Sequence, residues 1–443
     1  MNRPSPTPSA PHWVRGLIKA AVCFSALASA SLGAAAAPGT PAFPADGPRV
    51  TPAVRALHED LLTLDTHLDT PANLPLTGWD ILQRHDVLRD GSQIDLPRMV
   101  EGGLDGGFWA IYTPQGPRTA EGERAARDAA LARAVAIREM VAAHPQQFGL
   151  ALTADDAARI AAQKKRIVFM SIENSYPLEA DLSLLATFQK LGVRLAGPVH
   201  FANNELADSA TDPKGAEWQG LSEKGRTFVA EANRLGIVLD ASHASDAVLE
   251  QMIALSKTPV LLSHSGLKAV FDHPRNIGDE LLKKLAASGG VIQINFLSGY
   301  LIATPTIPER QAALAALAPR MRKPNPTLAD REALIQARAE IDKQWPLPRA
   351  SFEDACAHLL HAIQVAGIDH VGIGADFDGG GGVTGFEDAR DYPKITARLL
   401  QAGYSRDDIQ KVWSGNVLRV LRAAETHAAM ATAAAVPAPA AAR

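Results

Sequence analysis

Short apolar stretches of this 443-residue sequence end repeatedly in side chains that can bind metal ions or carry protons. These endings are Thr-His-Leu-Asp at 66–69, Ser-Ile-Glu at 171–173, Pro-Val-His at 198–200, Ala-Ser-His at 241–243, Leu-Ser-His at 262–264 and Gly-Ala-Asp at 374–376. Imidazole nitrogens and carboxylate oxygens are the ligands that a borderline cation such as zinc prefers. If the fold gathers these groups, they would form a hydrolytic metal centre, because water held between two cations supplies hydroxide near neutral pH.

The spacing suggests how five of these side chains could share two ions. His67 and Asp69 are two residues apart, so on a strand they lie on the same face and can reach one ion together. Glu173 could bridge two ions, with His243 and His264 completing the second. Each residue alone is a weak signal, because a strand-end His is more often a structural residue and Glu173 could equally cap a helix. Together they favour a metal site, since burying five such groups without a cation would cost several kcal/mol.

The elements that must position these residues are eight apolar runs that alternate with longer amphipathic stretches. Such alternation is typical of βα units around a parallel sheet. Eight is the strand number of a (β/α)8 barrel, and in that fold the carboxyl ends of all strands meet at one mouth. We therefore predict an α/β fold, a (β/α)8 TIM barrel of the metal-dependent hydrolase type, with the polar endings in one pocket. The runs are 61–65, 106–112, 167–173, 193–200, 237–243, 259–264, 291–296 and 370–376.

The barrel is predicted to occupy residues 53–425 as one large domain. Residues 301–349 are longer than one crossover needs and are interrupted by prolines. We interpret them as a helical insertion that covers part of the barrel mouth. A Pro-rich linker at 38–52 precedes the domain and an Ala/Pro tail at 426–443 follows it. Both are expected to be disordered, since they offer little that can pack.

Residues 1–37 have the features of a secretory signal peptide. Basic residues precede an apolar, Ala-rich stretch at 20–32 that is too short to span a membrane, and small residues suited to cleavage follow it. We therefore expect an exported protein, periplasmic or secreted, with no stable membrane anchor. The formal net charge of -4, without a basic stripe, argues against nucleic acid as a partner.

Across nearly the whole mature chain, the sequence resembles the membrane dipeptidase (renal dipeptidase) family, zinc peptidase family M19. The resemblance implies a secreted bacterial metallo-dipeptidase with two Zn²⁺ ions per chain. It places one ion on His67, Asp69 and Glu173, and the other on Glu173, His243 and His264. The matching segments are 65–69, 171–173, His200 with 203–204 and 207–209, 242–243, 263–265, 275–277, 374–379, and 415–416 with 418–419.

The resemblance also assigns roles to residues outside the ligand set. His200 matches a substrate-binding His that would polarise the scissile carbonyl and stabilise the oxyanion, although a hydrogen bond to a metal ligand is the alternative. Arg275 matches the residue that grips the free carboxylate of the dipeptide, and Tyr300 would bond the same carboxylate. A salt bridge for Arg275 and ordinary packing for Tyr300 are the alternatives. Asp376 would shuttle a proton from the attacking water to the departing amine.

We thus predict a dipeptidase that cleaves dipeptides, including those with a C-terminal D-residue, by means of a metal-bridging hydroxide. One alternative is another amidohydrolase reaction on the same centre, such as β-lactam, lactone or acylated D-amino-acid hydrolysis. A second alternative is a catalytically silent periplasmic binding protein, which the intact ligand set and Asp376 argue against. Arg275 and Tyr300 favour a substrate with a free carboxylate. The family resemblance further suggests a homodimer.

Overall fold

The structure is a computed structural model that describes residues 46–321 and 323–435. The predicted signal peptide at 1–37, the first part of the predicted linker and the tail residues 436–443 lie outside the described residues. Within the described ranges, no helix combines the length and the apolar character that a membrane span needs.

The strands form the barrel that the apolar runs predict. They hydrogen-bond in parallel in the orders β1-β2-β4-β5-β6 and β7-β8-β9. Parallel bridges from Asp240 to Leu261 and from Leu68 to Phe377 join the two sheets, so eight strands close into a (β/α)8 barrel. In the described chain the strands are β1 (Leu64–Leu68), β2 (Gly106–Tyr112), β3 (Phe148–Leu150), β4 (Arg166–Glu173), β5 (Val193–Ala196), β6 (Val238–Leu239), β7 (Leu261–Ser265), β8 (Val291–Ile294) and β9 (Val371–Ile373).

One strand, β3, was not predicted and lies outside the ring of eight. It pairs with residues 166–168 of β4. Further along β4, residues 170–172 pair with β5 on the same edge. The short apolar run that forms it therefore extends the barrel wall locally and contributes no residue to the carboxyl end.

Helices follow the barrel strands and end at clear sequence signals. Ser222 caps α6 by accepting a hydrogen bond from the Gly225 amide, and Gly236 ends that helix in the left-handed conformation. The helices are α1 (Pro52–Glu59), α2 (Leu96–Glu101), α3 (Ala120–Ala143), α4 (Ala154–Ala161), α5 (Leu184–Leu191), α6 (Glu223–Leu235), α7 (Asp246–Leu255), α8 (Asp279–Ala287), α9 (Ser298–Leu301), α10 (Pro308–Ala315), α11 (Ala318–Met321), α12 (Leu328–Gln344), α13 (Phe352–Ala366), α14 (Pro393–Gln401), α15 (Arg406–Gln410) and α16 (Asn416–Ala435).

One end of the barrel is closed by apolar side chains. Leu64, Phe169 and Val291 belong to a buried cluster that also includes Leu418 and Leu421 of α16. These strand residues come from the first halves of β1, β4 and β8, so the cluster fills the amino-terminal end of the barrel. The polar residues that follow the strands are consequently left at the opposite mouth.

The predicted disordered tail is wrong for residues 426–435, because α16 continues to Ala435. Alanine has the strongest helix propensity, and its small side chain lets this part of α16 approach α6 closely. His427 and Ala431 lie beside Val229 and Asn233 of α6 on a shared surface groove. The Ala-rich composition of these residues suggested that they could not pack, but as a helix they pack against α6.

Candidate metal centre

The predicted metal-binding residues converge at the carboxyl end of the barrel. His67 lies in β1, Glu173 is the last residue of β4 and His264 lies in β7. Asp69 directly follows β1, as predicted from its spacing to His67. All four side chains are buried, with relative exposures of 7% or less.

Three other predicted site residues lie in loops rather than on strands. His200, His243 and Asp376 come after the ends of β5, β6 and β9, because these strands are shorter than the apolar runs. His243 and Asp376 have φ angles of 66° and 62°. Such left-handed backbone is unfavourable for residues other than glycine and is concentrated at functional sites. The turn that it makes brings both side chains into the same cavity as Glu173.

Glu173 lies between two groups of donors. Its Oε2 is 3.5 Å from Nε2 of His67, and the same nitrogen is 3.1 Å from Oδ2 of Asp69. Its Oε1 is 3.0 Å from Nε2 of His243 and 3.4 Å from Nε2 of His264. The two carboxylate oxygens therefore face the two ligand groups that the sequence predicts.

The donor atoms fit divalent cations. Nε2 of His243 and Nε2 of His264 lie 2.9 Å apart and both approach Oε1 of Glu173. Nδ1 of His264 is hydrogen-bonded to Ser263 Oγ at 2.8 Å, and that hydroxyl donates to Asp240. Nδ1 of His264 must then donate, which leaves Nε2 with a free lone pair. Converging lone pairs and carboxylate oxygens are what a cation with imidazole and carboxylate ligands requires.

The protonation states of His243, His264 and Glu173 suit metal binding. Burial lowers the pKa of His243 and of His264 well below the usual value, and the charge of Arg275 adds to the effect in both. Burial alone would raise the pKa of Glu173, but the nearby imidazoles, first among them His67, hold it well below its usual range. Neutral imidazoles and an ionised carboxylate are the forms that bind a metal ion. His67 differs: burial alone would lower its pKa, but Glu173 and Asp69 raise it well above the usual value, so His67 must lose a proton to bind an ion.

Asp376 is held in a different state from Glu173. Burial raises its pKa to about 7; His67 opposes the shift, while Asp69 and Glu173 support it. Asn295 donates from Nδ2 to Asp376 Oδ2 at 3.3 Å. A side chain on residue 379 would collide with this site, since a Cβ there would lie 2.3 Å from Asp376 Oδ1. Glycine at 379 thus lets the loop pass close to the carboxylates.

The cavity at this mouth encloses about 580 Å³, a volume in the range of small-molecule sites. His200 forms part of its wall, with its ring 4.8 Å from that of Tyr112 and 3.8 Å from that of Phe201. Nε2 of His200 is 3.6 Å from Oε1 of Glu173. His200, Glu173 and His243 form one group that could hold a metal ion. Because His200 also lines the cavity, it could instead donate a hydrogen bond to a substrate.

Arg275 and Tyr300 lie together beside the His264 strand. The guanidinium stands over the Tyr300 ring at 5.5 Å. Its Nη1 donates to Ser265 Oγ at 2.9 Å and its Nη2 to the His264 carbonyl at 2.8 Å, while Nε is buried without a partner. Tyr300 lines the cavity, whereas Arg275 is buried and is not one of the lining residues. Each Nη atom keeps a second hydrogen, so the group retains donors for a ligand.

Several residues that support the site were missed by the sequence analysis. Tyr112 ends an apolar run in the same way as the predicted ligands, so its position was a usable signal. Asp65 also ends an apolar run, at 61–65, and begins the matched segment 65–69, but the sequence analysis gave it no role. Its Oδ1 accepts the His67 amide, and its Oδ2 accepts the Ala375 amide and the Tyr392 hydroxyl. This buried carboxylate joins β1 to the loop that carries Asp376.

The comparisons with known proteins agree with this geometry. The sequence profile of the membrane dipeptidase family, peptidase family M19, matches residues 52–435. The chain is 31% identical over 342 residues to Dipeptidase tcpJ of Claviceps purpurea, covering 76% of this chain and 70% of that protein. It is 30% identical to the probable dipeptidase PvdM from Pseudomonas aeruginosa, with a TM-score of 0.71 and coverage of 85% of this chain and 98% of that chain. It also resembles a metallo peptidase from Rhodobacter sphaeroides liganded with a phosphinate mimic of L-Ala-D-Ala, with 27% identity, a TM-score of 0.63 and coverage of 82% and 99%.

Proposed function

Since this chain belongs to the membrane dipeptidase family, peptidase family M19, and is a metallopeptidase that hydrolyses dipeptides, we propose that it works with two Zn²⁺ ions. His67 and Asp69 would hold one ion, His243 and His264 the other, and Glu173 would bridge them. The observation that carries this proposal is the position of Glu173, whose two oxygens face different groups of donors. Bound in this way, the two cations would lower the pKa of a shared water molecule and supply hydroxide as the nucleophile.

Asp376 is the residue we assign to proton transfer. A carboxyl group with a pKa of about 7 can take a proton from the attacking water and return it to the departing amine at neutral pH. The hydrogen bond from Asn295 orients the carboxyl group. Its left-handed backbone places it beside His67 and Asp69.

The remaining site residues would bind the substrate. We propose that His200 hydrogen-bonds the carbonyl oxygen as it becomes an oxyanion. Arg275 and Tyr300 would receive the free carboxylate of the dipeptide, since a guanidinium group with spare hydrogens suits a carboxylate. Acceptance of a D-residue at the second position is part of the proposal. Its support is the similarity to the Rhodobacter sphaeroides enzyme, which was solved with a mimic of L-Ala-D-Ala.

We further propose that the protein is exported and that residues 1–37 are removed as a signal peptide. The basic residues and the Ala-rich stretch at 20–32 support this. Sequencing the amino terminus of protein purified from the producing cells tests it. A mature chain that still begins at Met1 would contradict export by this route.

The function is tested by elemental analysis combined with assays of L-Ala-L-Ala, L-Ala-D-Ala and the C-terminal amide of L-Ala-L-Ala. We expect two zinc ions per chain, loss of cleavage on chelation and poor cleavage of the amide. The Asp376→Asn variant should keep its metal and lose about 100-fold or more in kcat, the scale of general acid–base catalysis. The exposed Asp246→Asn serves as a matched control with unchanged turnover.

Two results would contradict the proposal. Undiminished cleavage by metal-free protein would exclude the binuclear mechanism. Equal cleavage of the amide and the free dipeptide would point to a broader amidohydrolase that does not require the substrate carboxylate.

A further inference from the structure

Three arginine side chains line the cavity in addition to the metal-binding group. Arg133 belongs to α3, whereas Arg331 and Arg338 belong to α12 in the insertion between β8 and β9. Arg133 and Arg331 are half-buried, and Arg338 is exposed at the rim. None of the three was a predicted site residue, because they lie in helices that are distant in sequence from the polar strand endings.

These guanidinium groups have no carboxylate partner among the described residues. Arg331 donates from Nε to the Asp90 carbonyl at 3.1 Å, and Arg133 donates to the Pro71 carbonyl. Other arginines in contact with the insertion do form ion pairs, with 2.7 Å between Arg89 and Glu332 and 2.5 Å between Arg310 and Asp342. The three arginines that line the cavity form no such ion pair.

Burial makes this lack of a partner costly. Burial lowers the pKa of Arg133 and that of Arg331. The like charge of Arg338 lowers the pKa of Arg331 further, against the attraction of Asp378. A partly desolvated charge without a counter-charge in contact is unfavourable. An anion in the cavity would relieve that cost.

The carboxylates of the cavity do not meet this need. Asp378 accepts hydrogen bonds from Thr70 Oγ1 and from the Gln93 amide, both at 2.7 Å. Asp69 and Glu173 belong to the proposed ligand set, where bound cations would take up their charge. Positive charge thus remains in excess on the wall formed by α3 and α12.

The position of Arg331 is set by close packing of α12 against the loop at 90–92. Gly91 has a φ angle of 77°, and a Cβ there would lie 2.6 Å from Cδ1 of Ile335. Thr327 and Asp330 form a capping box that fixes the start of the helix. The backbone of Arg331, one residue beyond this box, is therefore fixed by helix capping and packing.

We propose that Arg331, together with Arg133 and Arg338, binds a side-chain carboxylate of the substrate, so that dipeptides containing Asp or Glu are preferred over their Asn or Gln isosteres. This inference rests on the proposed dipeptidase function and names its substrate class. The site differs from that of the main-chain carboxylate, since Arg275 is anchored to the His264 strand and Arg133 to Pro71 after β1.

The test compares kcat/KM for Ala-Asp with Ala-Asn, and for Asp-Ala with Asn-Ala, using the zinc-loaded enzyme. One of these pairs should show an acid-to-amide ratio of about tenfold or more, equivalent to one charge-assisted hydrogen bond. In Arg331→Gln the ratio should fall toward one, and Arg331→Lys should retain part of it because the charge is kept. Lys343→Gln, an exposed change on the same helix, should leave the ratio unaltered.

The outcomes separate this inference from the function on which it rests. Cleavage of Ala-Ala with acid-to-amide ratios near one in both pairs would overturn only the arginine site. A ratio that persists in Arg331→Gln, in Arg133→Gln and in the double variant would also overturn it. No cleavage of any dipeptide would instead refute the proposed function. Unfolding temperatures of the variants show whether each remains folded. If Arg331→Gln does not fold, the ratio measured in Arg331→Lys decides the question.

Discussion

At the residue scale, His264 owes its orientation to groups that do not line the cavity. Asp240 accepts from the Ser263 amide and from the Ser263 hydroxyl, and that hydroxyl in turn accepts from Nδ1 of His264. The same carboxylate also accepts the Ser242 amide at 2.9 Å. One buried carboxylate therefore sets the tautomer of a ligand and the backbone that carries it, as is common around metal-binding histidines.

The Asp240→Asn substitution should weaken metal binding without removing a ligand. An amide cannot accept at both former oxygens, so one of the three hydrogen bonds is lost and His264 can turn. We expect zinc affinity to fall about 10- to 100-fold, the usual effect of changing such a supporting residue. Competition with a chromogenic chelator measures it, with the exposed Asp246→Asn as control. An unchanged affinity would show that His264 needs no such support.

His200 and His243 approach the same oxygen of Glu173, at 3.6 and 3.0 Å, but we expect different consequences from their removal. His200→Ala should keep both zinc ions and lose about 100-fold in kcat, the cost of one oxyanion donor. His243→Ala should lose one zinc ion. Metal content and kcat measured on both variants check this. Loss of zinc from His200→Ala would make His200 a ligand instead.

At the scale of elements, the turn after β4 is tied to the loop after β5. Asn204 donates from Nδ2 to the Pro198 carbonyl at 2.7 Å and to Asn174 Oδ1 at 3.2 Å. Asn174, next to Glu173, has a left-handed φ angle of 66°. These bonds hold the loop that carries His200 against the strand that carries Glu173. The distance between two site residues thus depends on contacts between segments that contribute no chemistry.

The same turn contains a buried acid, Glu179, whose Oε1 accepts the Glu205 amide while Oε2 has no partner. Burial raises the pKa of Glu179 to about 7. The usual pKa of a glutamate side chain is 4.5. Between pH 4.5 and about pH 7, Glu179 is therefore protonated in the folded state and ionised in the unfolded state. Folding is therefore favoured in acid by this group, and that contribution is lost as the pH rises to about 7.

Glu179→Gln should accordingly stabilise the protein more at pH 8 than at pH 5. The difference between the two pH values should be on the order of 2–3 kcal/mol, because each unit of pKa shift corresponds to ~1.4 kcal/mol. Urea unfolding of the variant and the parent at both pH values measures it. Glu121→Gln, an exposed change, serves as the control. An equal effect at pH 5 and pH 8 would mean that Glu179 is ionised in the folded protein.

At the scale of the whole molecule, the proposed metal centre would join most of the barrel. Its predicted ligands come from β1, β4, β7 and the loop after β6, and Asp376 follows β9. A cation bound to the folded state alone stabilises that state by mass action. Metal binding should therefore stabilise the closed barrel as a unit.

Removing the metal should lower the unfolding temperature by several degrees, and adding zinc should restore it. Binding at 1,000 times the dissociation constant contributes about 4 kcal/mol. In Glu173→Gln the same addition should raise the unfolding temperature much less, because the bridging charge is gone. Calorimetry with and without chelator measures both proteins. An unfolding temperature that does not respond to zinc in the parent protein would contradict a metal bound between the strands.

The apolar runs and their polar endings predicted the (β/α)8 barrel, and the resemblance to the membrane dipeptidase family predicted the family and the dipeptidase activity. The structure and the comparisons confirm all three. Buried parallel strands read as continuous apolar runs, and their carboxyl ends must share one mouth. The polar residue at each run's end could therefore be placed in a common pocket before any distance was known. The roles of the five predicted metal ligands, of Asp376 and of the substrate-binding residues His200, Arg275 and Tyr300 stay predictions.

Only the tertiary structure decided which groups touch. Glu173 faces two ligand groups, Asp65 bonds Tyr392 across 327 positions of the chain, and Arg331 reaches the cavity from the insertion. The helical course of 426–435 likewise depends on packing against α6. Such contacts join segments that are distant in sequence, and local periodicity carries no information about which of them meet.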